Sequence, residues 1–326
     1  MALAFAKHNP IAKGTRFEPA KGRYVLYVGY GCPFAHRALL ALTVKGLQDT
    51  IQVVGVHAAK QRTRPEVDYD KHYGWVFKPE NDELLSNQNG HGAFSNEGTE
   101  IDPIKGFKTI REIYDHAGAP AGTTYSVPVL YDTKEDTIVS VESGDMMRDL
   151  NTQFQEFATR PEIDLYPESL QPKLNELEEW ILSDVIYGVY KAGFAKQQQD
   201  YEVAFDNFYK GLDRIDEILG KNRYLAGNQL TELDLKLFVC LVRYDEAYSV
   251  LYRLNKKMLR EYHNLLNWSR DVYQYVGVAE TVKMYHIKLI YFANMTEYAP
   301  YGIIPKGNDF EENLKKAHDR DTIGKQ

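Results

Sequence analysis

The stretch from Tyr24 to Arg37 constrains the fold more than any other part of this chain. Its apolar residues Val25 to Val28 predict a short buried strand, and the two glycines after them predict a turn. Cys32 follows, and the next residue is a proline, which suits the first position of a helix because its missing N–H would be unpaired there. Helix formers continue to Val44, so the pattern predicts strand, turn, Cys-Pro and helix in direct succession.

Cys32 therefore lies where the free N–H groups of a helix N-terminus favour an anion. An ordinary thiol has a pKa of about 8.5, so only roughly 3% is thiolate at pH 7, and a decrease of about two units would make most of it nucleophilic. A small buried hydrophobic residue is the other interpretation, and the surrounding pattern favours the thiolate. Ala35 stands three places on, so this is not a C-x-x-C pair, and exchange at Cys32 requires a thiol from solution, for which glutathione is the abundant candidate. The second cysteine, Cys240, lies in an apolar helical run and is interpreted as a core residue.

Composition indicates an ordinary globular chain. Its 326 residues are enough for two domains, with 44% hydrophobic and 26% charged residues. The net charge of −7 gives no reason to expect nucleic acid or an anionic membrane as a partner. Two cysteines fit a reducing compartment, and no stretch approaches a signal peptide or the roughly 20 apolar residues of a membrane span. A cytoplasmic location is therefore expected.

The first half alternates strands with helices. Residues 51–56 predict a second strand, which completes a βαβ unit with parallel strands. Residues 57–102 lose periodicity and predict a long polar loop. Within it the apolar residues 74–77 either pack into the core, which the sequence slightly favours, or form one wall of a binding site. A helix is predicted from Asp102-Pro103 to about Ala117.

A hairpin is predicted from residues 127–131 and 137–141. Pro128 lies inside its first strand and cannot donate to a ladder, so it marks a sheet edge or a cis peptide bond beside a site. On an open edge the backbone of Val127 would be able to pair with an extended peptide ligand.

Glu142 and Ser143 are predicted to open a helix that runs to about Asn151. Ser143 is interpreted first as the N-cap of that helix. The alternative is a binding role, in which the helix end holds a ligand carboxylate and Glu142 takes an ammonium group.

The second half is predicted to be helical. Apolar residues recur at helical spacing over 174–185 and 205–219. The segment Thr231-Glu-Leu-Asp234 predicts a capping box, and the tail from Pro300 onward is predicted to be irregular. The sequence contains no internal repeat, no metal-ligand cluster and no glycine-rich phosphate loop.

This order of elements resembles that of the glutathione transferases. The motifs narrow the resemblance to the glutathionyl-hydroquinone reductases, the Xi class. They are Cys32-Pro33-Phe34-Ala35-His36-Arg37, Gly74-Trp75-Val76-Phe77, Asp102-Pro103, Val127-Pro128-Val129-Leu130, Glu142-Ser143 and Gly188-Val189-Tyr190-Lys191-Ala192-Gly193-Phe194-Ala195. The last string discriminates, since other cysteine transferases such as the omega class lack it. The resemblance covers nearly the whole chain and implies a thioredoxin-like α/β domain over residues 1–155, followed by an all-helical domain over residues 156–326.

The resemblance also implies two sites. The residues of the glutathione site would be Cys32, Phe34, Trp75, Val127, Pro128, Glu142 and Ser143. In that site Val127 pairs with the cysteinyl backbone and Glu142 and Ser143 hold the γ-glutamyl end, which reverses the first interpretations of Trp75 and Ser143. Tyrosines of the helical domain would form the hydroquinone pocket, and they match Tyr190, Tyr291 and Tyr248.

Two positions depart from the family pattern. Phe34 stands where the family usually has tryptophan, which keeps an aromatic wall. Thr124 stands where family members carry a basic residue that grips the glycine carboxylate of glutathione. The segment before Cys32 is also shorter than is common in the family.

The activity implied by the resemblance is reduction of S-glutathionyl-hydroquinones to free hydroquinones through a mixed disulfide of Cys32 with glutathione. Glutathione is the expected co-substrate, no metal is expected, and the expected assembly is a homodimer. The proton donor would be Tyr190 or Tyr291. The alternatives are an omega-type thiol transferase or dehydroascorbate reductase, and a protein that binds aromatic ligands without chemistry.

Overall fold

A computed structural model describes residues 5–323, so the extreme ends of the predicted domains 1–155 and 156–326 lie outside the described residues. The chain divides into two units. The first contains residues up to 163 together with residues 281–304, and the second contains residues 164–280 and those from 305 onward. The structure thus adds a late segment to the first unit, and the boundary near residue 155 stays a prediction for the functional domains.

The strands all belong to the first unit. They are β1 (Tyr24–Val28), β2 (Gln52–Gly55), β3 (His57–Arg62), β4 (Tyr73–Val76), β5 (Val129–Asp132) and β6 (Thr137–Ser140). Four of them form a mixed sheet in the order β2-β1-β5-β6. In it β1 runs parallel to β2 and antiparallel to β5, which in turn pairs antiparallel with β6. The predicted βαβ unit and hairpin are therefore confirmed.

The helices occur in both units. They are α1 (Pro33–Lys45), α2 (Ile110–His116), α3 (Ser143–Thr152), α4 (Gln171–Trp180), α5 (Gly188–Gly193), α6 (Gln198–Leu219), α7 (Glu232–Leu241), α8 (Ser249–Leu251), α9 (His263–Gln274), α10 (Met284–Asn294) and α11 (Phe310–Leu314). Short 3₁₀ turns cover Gln155–Phe157, Glu168–Leu170, Leu259–Glu261, Ala279–Thr281 and Arg320–Thr322, and π-helical turns cover Ile181–Ile186 and Tyr244–Tyr248. In the first unit α1 packs against α3, and α10 packs against β3.

The prediction of a structureless loop over residues 57–102 is wrong at two places. Strands β3 and β4 pair antiparallel in a separate two-stranded sheet, with His57 opposite Val76 and Arg62 opposite Tyr73. The strand His57–Arg62 contains two alanines and polar residues and no β-branched side chain, so it lacks the usual strand signal.

The predicted helix start at Asp102-Pro103 is also wrong, because helix α2 begins at Ile110. The Asp102 carboxylate accepts the hydroxyl of Tyr27 at 2.7 Å and backbone N–H groups of the residues that follow it, including Lys105 at 2.9 Å, so it holds a turn. Thr109 caps α2 in a capping box with Glu112.

In the second unit the predicted capping box is confirmed at the start of α7. Asp234 accepts the backbone N–H of Thr231 at 3.0 Å and its hydroxyl at 2.7 Å, and its other oxygen accepts the indole N–H of Trp268 at 3.1 Å. Cys240 is buried on the same helix, as predicted for a core residue. The prediction of an irregular tail is wrong at helix α11 and at Arg320–Thr322.

No helix of residues 5–323 is long and apolar enough to cross a membrane.

Candidate active site

Cys32 occupies the N-cap position of helix α1, and Pro33 is the first helical residue, as the sequence predicts. The Cys32 N–H donates to the Gly29 carbonyl at 2.8 Å, which closes the turn, and its carbonyl accepts the N–H of His36 at 3.0 Å, the first bond of the helix. Its thiol donates to the carbonyl of Val127 at 3.6 Å, and the residue as a whole is 7% exposed. The sulfur thus lies at the positive end of a thirteen-residue helix, where a thiolate is stabilised.

The glycines of the turn allow two elements to pack directly on it. A Cβ on Gly29 would lie 2.5 Å from the Trp75 ring, and a Cβ on Gly31 would lie 2.3 Å from the carbonyl oxygen of His286 on α10. Trp75 is 6% exposed on β4. The indole therefore packs into the core beside the Cys32 turn, and its role in binding stays a prediction.

Lys60 on β3 is a residue that the sequence analysis missed. Its ammonium nitrogen lies 5.2 Å from the centroid of the Trp75 ring. Burial lowers the pKa of Lys60, and the charge of Cys32 acts in the opposite direction and raises it. The sequence indicates Lys60 only as a single basic residue after the apolar start of β3. Its relation to the cysteine turn can be recognised only when the structure places β3 beside Trp75.

The peptide bond between Val127 and Pro128 is cis, which was one of the two predicted alternatives. The ladder between β1 and β5 ends at Val129, so Val127 lies beyond it, while its carbonyl faces the Cys32 sulfur. Thr124, four residues before the proline, is exposed. It carries no charge that could bind a carboxylate.

The interpretation of Ser143 as an N-cap is wrong. Glu142 holds the extended N-cap conformation, without a capping bond from its side chain, and Ser143 is the first residue of α3. Ser143 is buried, whereas the Glu142 side chain is 47% exposed and has Lys7 Nζ at 3.8 Å. The helix end thus presents N–H groups, which can bind a ligand carboxylate, and one exposed carboxylate, which can bind an ammonium group. Together they suit the amino-acid end of a ligand.

Phe34 and Tyr291 also belong to the first unit. Phe34 is half-buried on α1, with the guanidinium carbon of Arg37 4.8 Å from its ring centroid. Tyr291 is buried on α10, three residues before Asn294, whose side chain binds the backbone of β3. The structure therefore places the candidate proton donor Tyr291 on the helix that packs against both β3 and the Cys32 turn.

Tyr190 and Tyr248 belong to the second unit, which brings them together. Their hydroxyls lie 3.0 Å apart and their rings meet edge to face, with centroids 5.9 Å apart. Two further aromatic residues that the sequence analysis missed complete the cluster: Phe194 stacks on Tyr190 at 6.1 Å, and Tyr252 stacks on Tyr248 at 5.4 Å. The spacing of four residues from Tyr190 to Phe194 and from Tyr248 to Tyr252 was the signal that could have found them.

The cluster of tyrosines is built around an irregular helix. Tyr248 ends the π-helical turn Tyr244–Tyr248, and such turns often occur at functional sites. Its ring is buried, while Tyr190 is half-buried and Phe194 is exposed. The cluster therefore has a buried base and an accessible edge, as an aromatic ligand site requires.

Among residues 5–323 there is no group of three or more histidine, cysteine, aspartate or glutamate side chains that could hold a metal ion. Cys32 and Cys240 are both reduced and buried.

Two family models match the chain. The model of the N-terminal domain of glutathione S-transferase matches residues 31–153, and the model of the C-terminal domain matches residues 198–271. Together these matches cover the Cys32 helix α1, strands β2 to β6 and helices α2 and α3 in the first unit, and α6 to α8 with most of α9 in the second unit.

Three similar proteins cover almost the whole chain. Glutathionyl-hydroquinone reductase YqjG of Escherichia coli is 37% identical over 94% of this chain and 85% of its own length. Its glutathione-bound structure matches with a TM-score of 0.83 at 35% identity, covering 98% of this chain and 97% of that one. A Xi class glutathione transferase from Natrialba magadii matches with a TM-score of 0.86 at 37% identity, covering 98% of this chain and 90% of that one. Glutathione S-transferase omega-like 2 of Schizosaccharomyces pombe is 34% identical over 89% of this chain and 87% of its own length.

Proposed function

Since this chain belongs to the Xi class of the glutathione transferase family, the glutathionyl-hydroquinone reductases, we propose that it reduces S-glutathionyl-hydroquinones with glutathione as co-substrate. The observation that carries the proposal is Cys32 at the N-terminus of α1, with alanine in place of a second thiol three residues on. Such a cysteine forms a mixed disulfide that a thiol from solution must resolve.

In the first step the Cys32 thiolate attacks the sulfur of the glutathionyl group on the hydroquinone ring. A bond between the two sulfurs forms, and the bond between the glutathione sulfur and the ring carbon breaks. The ring carbon keeps the electron pair and takes a proton, and the free hydroquinone leaves. Tyr190 or Tyr291 supplies the proton.

In the second step a free glutathione thiolate attacks the glutathione sulfur of the mixed disulfide. Oxidised glutathione leaves and the Cys32 thiolate is regenerated. The two glutathionyl sulfurs have then supplied the two electrons that converted the carbon–sulfur bond into a carbon–hydrogen bond. No metal or further cofactor takes part in this scheme.

Glutathione would lie between the cysteine turn and the start of α3. The backbone of Val127, placed by Pro128, would pair with the cysteinyl residue, and Glu142 and Ser143 would bind its γ-glutamyl end. This assignment is supported by the Val127 carbonyl at 3.6 Å from the Cys32 sulfur and by the free N–H groups at the start of α3. Phe34 and Trp75 would supply apolar walls.

The hydroquinone ring would be bound by aromatic side chains. The edge-to-face pair of Tyr190 and Tyr248 offers a ring surface with two hydroxyls, which suits a ligand that carries phenolic oxygens. Tyr291 is the third tyrosine proposed for this role.

The test is turnover of a panel of S-glutathionyl-hydroquinones, with release of free hydroquinone followed directly. We expect turnover by the wild type and by Cys240→Ala, the matched control in which the other thiol is removed. Cys32→Ser should lose turnover entirely. Retention of full activity by Cys32→Ser would refute the proposal.

An omega-type thiol transferase is the second candidate, and the name of the Schizosaccharomyces pombe relative favours it. Rates on dehydroascorbate and on a glutathionyl-hydroquinone distinguish the two candidates, because an omega-type enzyme would prefer dehydroascorbate. A protein that only binds aromatic ligands would turn over neither compound and would gain no covalent glutathione at Cys32.

We also propose a cytoplasmic homodimer. The reaction consumes reduced glutathione and needs a free thiol, conditions that a reducing compartment supplies. The dimer is supported by the resemblance to the family, and light scattering of the purified protein tests it: a mass near twice that of the 37.5 kDa chain is expected, and a monomer would contradict it.

A further inference from the structure

We propose that Lys60 is a positioning residue of the Cys32 site, whose ammonium holds the sulfur as the thiolate that the proposed function requires. The inference rests on that function, since a lysine next to an inert thiol would have no such role. With this role, Lys60 gives the proposed glutathione site a cationic group, whereas position 124 carries threonine in place of the family's basic residue.

Lys60 is joined to the cysteine turn through the indole of Trp75. The ring lies so close to Gly29 that a Cβ there would be 2.5 Å from it, and the Gly29 carbonyl in turn accepts the N–H of Cys32. The Lys60 ammonium lies 5.2 Å from the centroid of the same ring, within the range of a cation–π contact. A short chain of contacts therefore connects the ammonium to the cysteine turn.

The backbone of Lys60 is held as firmly as its side chain. Its N–H donates to the Asn294 side-chain oxygen at 2.7 Å, and the Asn294 amide donates to the carbonyl of Ala58 at 2.7 Å. Helix α10, which carries Asn294, also packs against Gly31. Strand β3 and the cysteine turn thus both pack against helix α10.

The charge of Lys60 is not used by a carboxylate. No acidic side chain among the described residues forms an ion pair with it, although burial disfavours the charged ammonium. Lys60 is half-buried, and a cation that is partly removed from water is costly unless an anion lies near. The group whose negative charge acts on Lys60 is Cys32. The interaction is mutual, so the ammonium stabilises the thiolate by the same amount.

The other titratable groups near β3 do not supply this charge. Burial holds the pKa of His57 and of His286 below the ordinary value, so both are neutral at pH 7. Arg62 on the same strand donates to the carbonyls of Val67 and Asp70, away from the cysteine turn. Burial lowers the pKa of His72, and the Lys60 charge lowers it further, so His72 supplies no positive charge there either.

A lysine that merely packs on tryptophan would leave the reactivity of the sulfur unchanged, so the test measures the sulfur. The rate of alkylation of Cys32 by iodoacetamide is followed by intact mass from pH 5 to pH 9, in the Cys240→Ala background. The variants are Lys60→Met and Lys60→Gln, which remove the charge, and Lys60→Arg, which keeps it. Lys71→Met is the matched control, because Lys71 is exposed in the loop after β3.

We expect the apparent pKa of Cys32 to rise by about one unit in either neutral variant. Alkylation at pH 6 should then be roughly tenfold slower than in the wild type, and this difference should disappear at pH 9. Lys60→Arg should stay within about threefold of the wild type, and Lys71→Met should match it. Circular dichroism checks folding, and either neutral variant that folds is sufficient for the comparison with the wild type.

Two negative results have different meanings. If the wild type shows a low thiol pKa and the neutral variants show the same one, the role of Lys60 is refuted and the proposed function stands. If the wild-type thiol itself titrates at an ordinary value, the proposed function fails, and the role of Lys60 fails with it.

Discussion

Replacing Gly31 by alanine would place a methyl group inside the contact between the Cys32 turn and helix α10. The new Cβ would lie 2.3 Å from the His286 carbonyl oxygen and 2.8 Å from Cβ and Cγ2 of Ile290. Since ordinary contacts need about 3.5 Å, the turn or the helix must move by roughly 1 Å. The obstacle includes backbone of α10, so a side-chain rotation alone cannot relieve it.

The cost of this substitution follows from the same geometry. Overpacking of this kind costs about 1–3 kcal/mol of unfolding free energy. A displacement of about 1 Å at a reacting group lowers the rate by roughly 10²-fold, so we expect kcat/KM on a glutathionyl-hydroquinone to fall by about that factor. Urea unfolding and steady-state turnover measure the two effects on the same preparation.

Gly144→Ala is the matched control, because a Cβ at Gly144 in helix α3 would meet nothing within 4 Å. It should leave the stability unchanged or raise it by roughly 0.5–1 kcal/mol, since alanine favours a helix. Wild-type stability and turnover in Gly31→Ala would refute the reasoning, because they would show that the packing of α10 does not fix the cysteine turn.

Three further predictions concern single side chains. Burial raises the pKa of Asp149 to about 7, above the unfolded value of 3.8, so its contribution to stability is lost as pH rises from about 4 to 7. At pH 8 the unfolding free energy of Asp149→Asn should therefore exceed that of the wild type by at most roughly 4 kcal/mol, and at pH 4 it should not exceed it. Equal urea midpoints of the two proteins at pH 8 would contradict this. Tyr248→Phe removes the hydroxyl bond to Tyr190 and keeps the ring, so the KM for the hydroquinone conjugate should rise about fivefold, and an unchanged KM would exclude that hydroxyl from binding. Thr124→Arg should lower the KM for glutathione about tenfold by supplying a charged hydrogen bond, whereas an unchanged or higher KM would show that position 124 does not face the tripeptide.

The sequence predicted the cysteine turn well because its signals are local. An apolar strand, glycines and a proline after Cys32 each favour the observed conformation independently of the rest of the chain. The same holds for the capping box at Thr231 and Asp234, where the two residues bind each other across one helical turn.

The errors arose where distant contacts decide the structure. Strand β3 is stabilised by its pairing with β4 and by Asn294, which lies far along the chain. Helix α2 starts late because Asp102 binds the hydroxyl of Tyr27 and the turn after it. The N-cap at α3 differs by one residue, since the backbone of Glu142, and not that of Ser143, is extended.

The candidate site shows the same difference between residues with local sequence signals and residues whose role depends on distant contacts. Cys32 could be named from its own neighbours, whereas Lys60 could not, because its significance depends on Trp75 and on a strand without a strand signal. The sequence indicates Phe194 and Tyr252 only through their spacing of four residues from Tyr190 and Tyr248. The ring contacts in the structure identify them as members of the aromatic cluster.

The central claim is that Cys32 carries the glutathionyl group between the two steps of the reaction. A single turnover tests it most directly: the Cys240→Ala variant is mixed with one equivalent of a glutathionyl-hydroquinone, without free glutathione, and its intact mass is recorded. The protein should gain one glutathionyl group at Cys32 as one equivalent of hydroquinone appears, and should lose it when glutathione is added. Release of hydroquinone from a protein of unchanged mass would contradict the claim, as would the same adduct on Cys32→Ser.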